Sequence, residues 1–185
     1  MPHFDPFPQF APEDIARQLG SLLEFDGRGL DIRETMAVWR LGRSSTLAPE
    51  KPLASLAKDT GRWHHQIHWG RRPVGYVRSR PLGTSLANWT VVQSSVASTL
   101  PGIVHRGMRW IDRNVTVDFV TRLLVIPSFR IHAFWLGGVG GDYLLVIDHP
   151  VGYPGLAYET LHPSGEFLRR LATLPPVLSV PRRPR

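Results

Sequence analysis

Cysteine is absent from the 185 residues. That excludes disulfides, thiolate zinc sites, iron–sulfur clusters and a cysteine nucleophile. Lysine is nearly absent too: Lys51 and Lys58 are the only two among 22 basic residues, so a net charge of +7 is carried by arginine. The guanidinium fork suits bidentate contact with carboxylate or phosphate better than an ammonium does. Arg182, Arg183 and Arg185 supply three of those charges within the last four residues. No run of residues approaches the ~18 apolar positions that a membrane-spanning helix needs. The opening MPHFDPFPQF has neither the basic start nor the continuous apolar stretch of a secretory signal. The expectation is therefore a cytoplasmic protein with no membrane partner.

Recognisable chemistry is also missing. There is no G-x-S-x-G elbow, H-E-x-x-H pair, phosphate-binding loop, zinc-finger spacing or RNP-type motif. The run Gly137-Gly138-Val139-Gly140-Gly141 opens no helix and is followed by no Lys-Ser/Thr pair, so it reads as a turn rather than a nucleotide loop. No repeat at 20–50 residues is visible.

What is present suffices for a folded core: 42% hydrophobic residues, with 6 Trp and 8 Phe, against 20% charged. The chain divides into an extended Phe/Pro arm over 1–11, one domain over 12–174 and a Pro/Arg-rich tail over 175–185. Pro12 at a helix start, acidic Glu13 and Asp14 behind it, and Ile15, Leu19, Leu22 and Leu23 at helical spacing predict a helix over 12–25. Strands are expected over 33–41, within 63–80, over 88–93, 116–126, 128–136 and 142–148, where β-branched and aromatic residues concentrate. One helical turn is expected near Pro52. A second helix, Val96 to Ile111, keeps its apolar period across Pro101 and reads as continuous but bent. A third helix is expected over 164–173. The order implies an α+β fold: antiparallel sheets built from hairpins, packed against about three helices, with extended Pro-rich termini.

The densest chemistry lies between Trp63 and Arg80, WHHQIHWGRRPVGYVRSR. In a strand, His64 and His65 point to opposite faces, and His64 and His68 stand about 13 Å apart. Zinc needs imidazole nitrogens about 2 Å from the ion. This stretch by itself therefore makes no metal site, and no metal or cofactor is expected. A turn at Arg71-Arg72 would set Trp69 opposite Val74, Ile67 opposite Tyr76, His65 opposite Arg78 and Trp63 opposite Arg80. The last pair would be a cation–π contact.

Three functions remain open at this level. The first is a non-enzymatic protein-interaction domain, an adaptor or accessory subunit of a larger assembly. Its partner would meet Trp63, His65, Tyr76, Arg78 and Arg80, with Phe4, Phe7 and Phe10 of the arm, because Trp, Tyr and Arg anchor interfaces. The second is a nucleic-acid or phosphate binder using Arg71, Arg72, Arg78, Arg80 and the arginines Arg182 to Arg185. The third is a hydrolase in which His132 or His149, beside Asp148, acts as a base.

Overall fold

The computed structural model describes residues 3–5, 30–42, 48–82, 85–96, 98–151, 153 and 155–177. The helix expected over 12–25, Phe7, Phe10 and the end of the arginine tail lie outside these residues. The described elements, in chain order, are β1 (His3–Phe4), β2 (Leu30–Leu41), α1 (Leu53–Leu56), β3 (Ala57–Trp69), β4 (Arg72–Leu82), β5 (Ser85–Ser95), α2 (Leu100–Asn114), β6 (Val120–Ile126), a 3-10 turn (Pro127–Phe129), β7 (Ile131–Gly138), β8 (Gly141–Asp148), β9 (Leu161–Pro163) and α3 (Ser164–Thr173).

The fold is sheet-dominated α+β. Two antiparallel runs, β5-β4-β3-β2 and β6-β7-β8-β9, form one sheet through a parallel seam in which Val38, Trp39 and Arg40 pair with Leu123, Leu124 and Val125. The parallel seam requires a crossover, and α2 supplies it. β1 pairs parallel with β6 through His3 and Phe4. Asp5 then accepts two 2.8 Å hydrogen bonds from Arg122, whose guanidinium lies over the rings of Trp39 and Trp135. Residues 3–5 of the arm thus dock on their own sheet.

Period-two alternation sends side chains to two cores. On β7, Ala133 and Trp135 join the cluster under α1 and α3, with Leu53, Leu144, Phe167 and Leu171, while Phe134 and Leu136 join the cluster under α2, with Met36, Leu123, Leu145 and Ile147. α2 presents Leu100, Val104, Met108 and Ile111 to the sheet, one residue per turn.

Three expectations need correction. Pro101 does not bend a helix begun before it: β5 runs to Ser95, α2 starts at Leu100, and Pro101 sits in the first turn, where its missing N–H costs nothing. The β3–β4 register is two residues away from the expected one at the turn and one residue away beyond the bulge. The turn is Gly70-Arg71 with Gly70 at φ +59°, Trp69 faces Arg72, and a bulge after Ile67 sets Ile67 opposite Gly75, His65 opposite Val77 and Trp63 opposite Ser79. Arg80 consequently stands opposite Thr90 of β5, and the cation–π contact of this region is Arg78 over Tyr76, at 5.6 Å. The short strands β1 and β9 carry no alternation of their own that a sequence reading could use.

The closest approach of helix to sheet is at Gly107. A Cβ there would stand 2.7 Å from Phe134 Cε2 and 2.7 Å from Ile147 Cγ2, both buried. Gly107→Ala is expected to cost about 1–3 kcal/mol by overpacking. Gly102→Ala on the same helix meets nothing nearer than 4.0 Å and should gain up to ~1 kcal/mol of helix propensity. Urea unfolding of both variants checks this, and equal midpoints would refute the close packing.

Candidate metal centre

β3 is the strand that carries the chemistry. Its residues His64, Gln66 and His68 alternate onto the face under α2, and all three are essentially excluded from solvent. Buried polar groups must be hydrogen-bonded or they destabilise the fold. Gln66 is bonded and His64 only in part, since its Nδ1 has no hydrogen-bond partner. Gln66 Nε2 donates to the Pro101 carbonyl at 2.7 Å, tying the strand to the first turn of α2. His64 Nε2 lies 3.3 Å from Gln66 Oε1, and its ring stacks on Tyr76 at 5.2 Å. His65 points to the opposite face, as alternation requires, and is held there between Ser79 Oγ (2.7 Å from Nε2) and Thr35 Oγ1 (3.1 Å from Nδ1).

His68 is different. A bulge in β2 inserts Glu34 between Arg33, opposite Gln66, and Thr35, opposite His65. Glu34 adopts φ +41°, a left-handed conformation that a non-glycine residue holds only when its surroundings impose it. The bulge brings Glu34 Oε2 to 3.0 Å from His68 Nε2 and Oε1 to 3.9 Å from Nδ1 of His105, on the second turn of α2. The two imidazole rings stand edge to face at 5.4 Å. One ligand atom from each of Glu34, His68 and His105 lies within 4.8 Å of the other two. Despite the proximity, Glu34 Oε2, both ring nitrogens of His68 and Nδ1 of His105 are buried and make no hydrogen bond.

Burial raises the Glu34 pKa, opposed by His105 and Arg33. Burial, then Arg33, lowers that of His68. Two imidazoles and one carboxylate, unsatisfied and convergent from β2, β3 and α2, form a donor set that zinc and similar divalent ions take. Ligands 2.0–2.2 Å from such an ion are themselves roughly 3.3 Å apart. The present separations of 3.0 and 3.9 Å bracket that spacing.

The sequence reading rightly separated His64, His65 and His68 from one another: the stretch is extended and paired, and their rings diverge. It missed Glu34 and His105, which reach His68 from 34 residues before and 37 after. No local spacing announces such a site; a glutamate interrupting an otherwise regular strand was the one available sign.

The other candidates are dispersed. Trp63 is half-buried, Arg80 exposed and Phe4 packed against the α2-side core. His65 and Tyr76 are 1% and 6% exposed, which leaves them no surface to offer a partner. Arg71 and Arg72 lie at the β3–β4 turn, well separated along the strands from Arg78 and Arg80. His132 Nδ1 is 3.4 Å from Asp148 Oδ2. His149 Nδ1 donates to the Pro150 carbonyl, and its ring stacks on Tyr158 at 4.6 Å. Neither histidine has a serine or threonine hydroxyl as a hydrogen-bond partner among the described residues.

Burial drives the pKa of His64 and that of His65 down to about 3, for His64 with help from the Arg78 charge. Both are neutral in the fold and protonate near 6.5 once unfolded. The unfolded chain thus binds more protons, and stability that is full above pH ~6.5 declines as pH falls toward 3. Between pH 6.5 and 5 each histidine should contribute a loss of roughly 2 kcal/mol. Denaturant unfolding at a series of pH values checks the decline, and His64→Gln should make it shallower. A stability independent of pH from 7 to 5 would disprove the buried neutral state.

Compared with protein-family models, with curated proteins and with solved structures, the chain matches none.

Proposed function

We propose that this chain is a metal-binding domain in which Glu34, His68 and His105 hold one divalent transition-metal ion, zinc being the best match to the donor set. The observation that carries the reading is the convergence of three ligand atoms, one each from Glu34, His68 and His105, on a strained bulge, none of these side chains being fully hydrogen-bonded. An ion there joins β2, β3 and α2. It satisfies the polar atoms that the fold leaves unpaired, and it gives the positive φ of Glu34 a purpose. Metal takes the carboxylate ionised and the imidazoles neutral. Burial favours the protonated form of Glu34, which competes with the ion, so binding should weaken as pH falls. Three protein ligands leave a fourth position for water. The cavities of about 820 and 360 Å3 beside α2 are lined by other residues. That separation favours a binding role over catalysis on a substrate.

The expected outcome is one zinc per chain by calorimetry and elemental analysis, with a higher thermal midpoint in the loaded protein. Glu34→Gln and His105→Ala should each weaken binding by at least about tenfold, since each removes one of three ligands. His149→Ala, remote from the three, should leave it unchanged. Stoichiometry below 0.2 in a folded wild-type chain, or equal binding by the ligand variants, overturns the reading.

A second reading keeps the chain as a non-enzymatic interaction domain. It is favoured by the half-exposed indole of Trp69 at the β3–β4 turn. Beside that turn, a cavity of about 820 Å3 is lined by Leu30, Pro73, Val74, Val96 and Ile103, with Arg72 and Arg106. Apolar floor, aromatic edge and arginine rim are what a protein partner's anchor residues meet. A protein that co-purifies with the wild-type chain should be lost with Trp69→Ala and Arg72→Ala combined, at unchanged thermal midpoint. Full retention of that protein by the double variant would reject the surface.

A further inference from the structure

At the other end of β3 a separate cavity of about 400 Å3 is lined by Arg40, Arg62 and Arg78, with Thr60, Val38, Val125 and Pro127. We infer that this cavity binds a small organic anion, a phosphate monoester or carboxylate, whose charged oxygens meet the three guanidinium groups and whose apolar part lies on Val38, Val125 and Pro127.

The local backbone builds the site. Between Arg62, opposite Val38, and Asp59, opposite Trp39, β3 carries an irregularity at Thr60 and Gly61, with Gly61 at φ +61°. Asp59 Oδ1 accepts a 2.8 Å hydrogen bond from the Gly61 N–H, and Thr60 Oγ1 donates to the Val38 carbonyl at 2.5 Å. These bonds fix the strand where it turns Arg62 toward the cavity. Arg78 enters from β4 with Nη1 donating to Gln93 Oε1 at 3.3 Å and its guanidinium over Tyr76. Its Nε is buried without a hydrogen-bond partner.

Charge balance is what points to an anion. No carboxylate lines the cavity. The nearby acids are engaged: Asp59 with Gly61, and Asp148 with His132. None of Arg40, Arg62 and Arg78 makes an ion pair among the described residues. Burial and the charge of Arg62 both disfavour the cationic form of Arg78. The Arg78 charge in turn adds to burial in lowering the pKa values of His64 and His132. Arginine does not surrender its proton in proteins, so the cost of three converging cations stands until an oxyanion offsets it. Guanidinium groups match carboxylate and phosphate oxygens two at a time. The volume suits a small molecule, and a concave, partly apolar site does not suit the open phosphate track of a nucleic acid. Arg71, Arg72 and Arg80, which such a track would recruit, do not line it.

Calorimetry on the full chain with inorganic phosphate, phenyl phosphate and benzoate, at fixed ionic strength, tests the site. Saturable binding with one site per chain is expected. Phenyl phosphate should bind more tightly than inorganic phosphate, because the apolar wall adds to the charged contact. Benzoate against phenyl phosphate tells whether the carboxylate or the phosphate is preferred, and preference for either supports the site. Arg62→Gln, an exposed residue whose loss leaves the core untouched, should weaken binding about tenfold or more, and Arg78→Lys likewise. Arg71→Gln, one charge fewer at the far turn, should have no effect. Absence of saturable binding by all three anions up to about 10 mM refutes the site. So does a loss in Arg71→Gln equal to that in Arg62→Gln, which would mean only diffuse charge attraction.

Discussion

The structure depends on how β3 solves the burial of its own polar side chains. A strand under a helix is expected to be apolar on that face, yet β3 places His64, Gln66 and His68 there in succession. Each unsatisfied group so placed costs about 1–3 kcal/mol, and a charged one more. The fold meets this cost residue by residue. Gln66 is bonded to the helix backbone and also faces His64, which stacks on Tyr76. His68 has the carboxylate of Glu34 at hand but no aligned hydrogen bond. Gln66 is bonded, His64 keeps Nδ1 without a partner, and His68 lacks a hydrogen bond at both ring nitrogens; only at His68 do two further ligand atoms converge.

The helix above is held to match. α2 is amphipathic, and its apolar stripe of Leu100, Val104, Met108 and Ile111 would seat it on any apolar sheet. Its place on this one is set by two specific contacts. Gly107 lets the helix descend onto Phe134 and Ile147. The Pro101 carbonyl, in the first turn of the helix, takes a hydrogen bond from Gln66. His105 falls between these anchors, so its distance from His68 is not adjustable by sliding the helix. A ligand supplied this way is preorganised, and an ion bound there need not pay for ordering the element that carries it.

The sequence disclosed the elements better than their partners. β-branched and aromatic runs revealed the core strands from 120 to 148, because a strand buried on both faces carries its signal in consecutive residues. The helix at Ser164–Thr173 and the short turn at Leu53–Leu56 were legible for the same local reason. The register of β3 on β4 was not, because the turn falls on Gly70-Arg71 and a bulge after Ile67 then shifts the pairing again. Nor was the start of α2: apolar spacing continued through Pro101 while the backbone before it belonged to β5. For the metal centre the imidazole was visible and its co-ligands were not, since Glu34 reaches it by a cross-strand bulge and His105 by a helix crossover. Contacts of that kind are fixed by topology, which periodicity does not encode.

The charge pattern along β3 ties these parts together. One end of the strand gathers a carboxylate and two imidazoles that can take a cation; the other gathers three arginines that can take an anion. Between them His64 is held neutral, by burial first and by the field of Arg78 second, and the same two causes lower the pKa of His132 on β7. A protonated histidine in the middle would add a fourth cation beside Arg78, in a medium where opposing charges are weakly screened. Neutrality of His64 is thus a condition for keeping Arg78 buried. Tyr76, on which His64 stacks, also lies under the Arg78 guanidinium, so both groups contact one aromatic ring. The same ring accepts a hydrogen bond from Gln93 Nε2 at 2.7 Å through its hydroxyl, and Gln93 Oε1 in turn receives Arg78. The amide orients both ends of this short network, so Gln93 holds Arg78 and the ring on which His64 stacks.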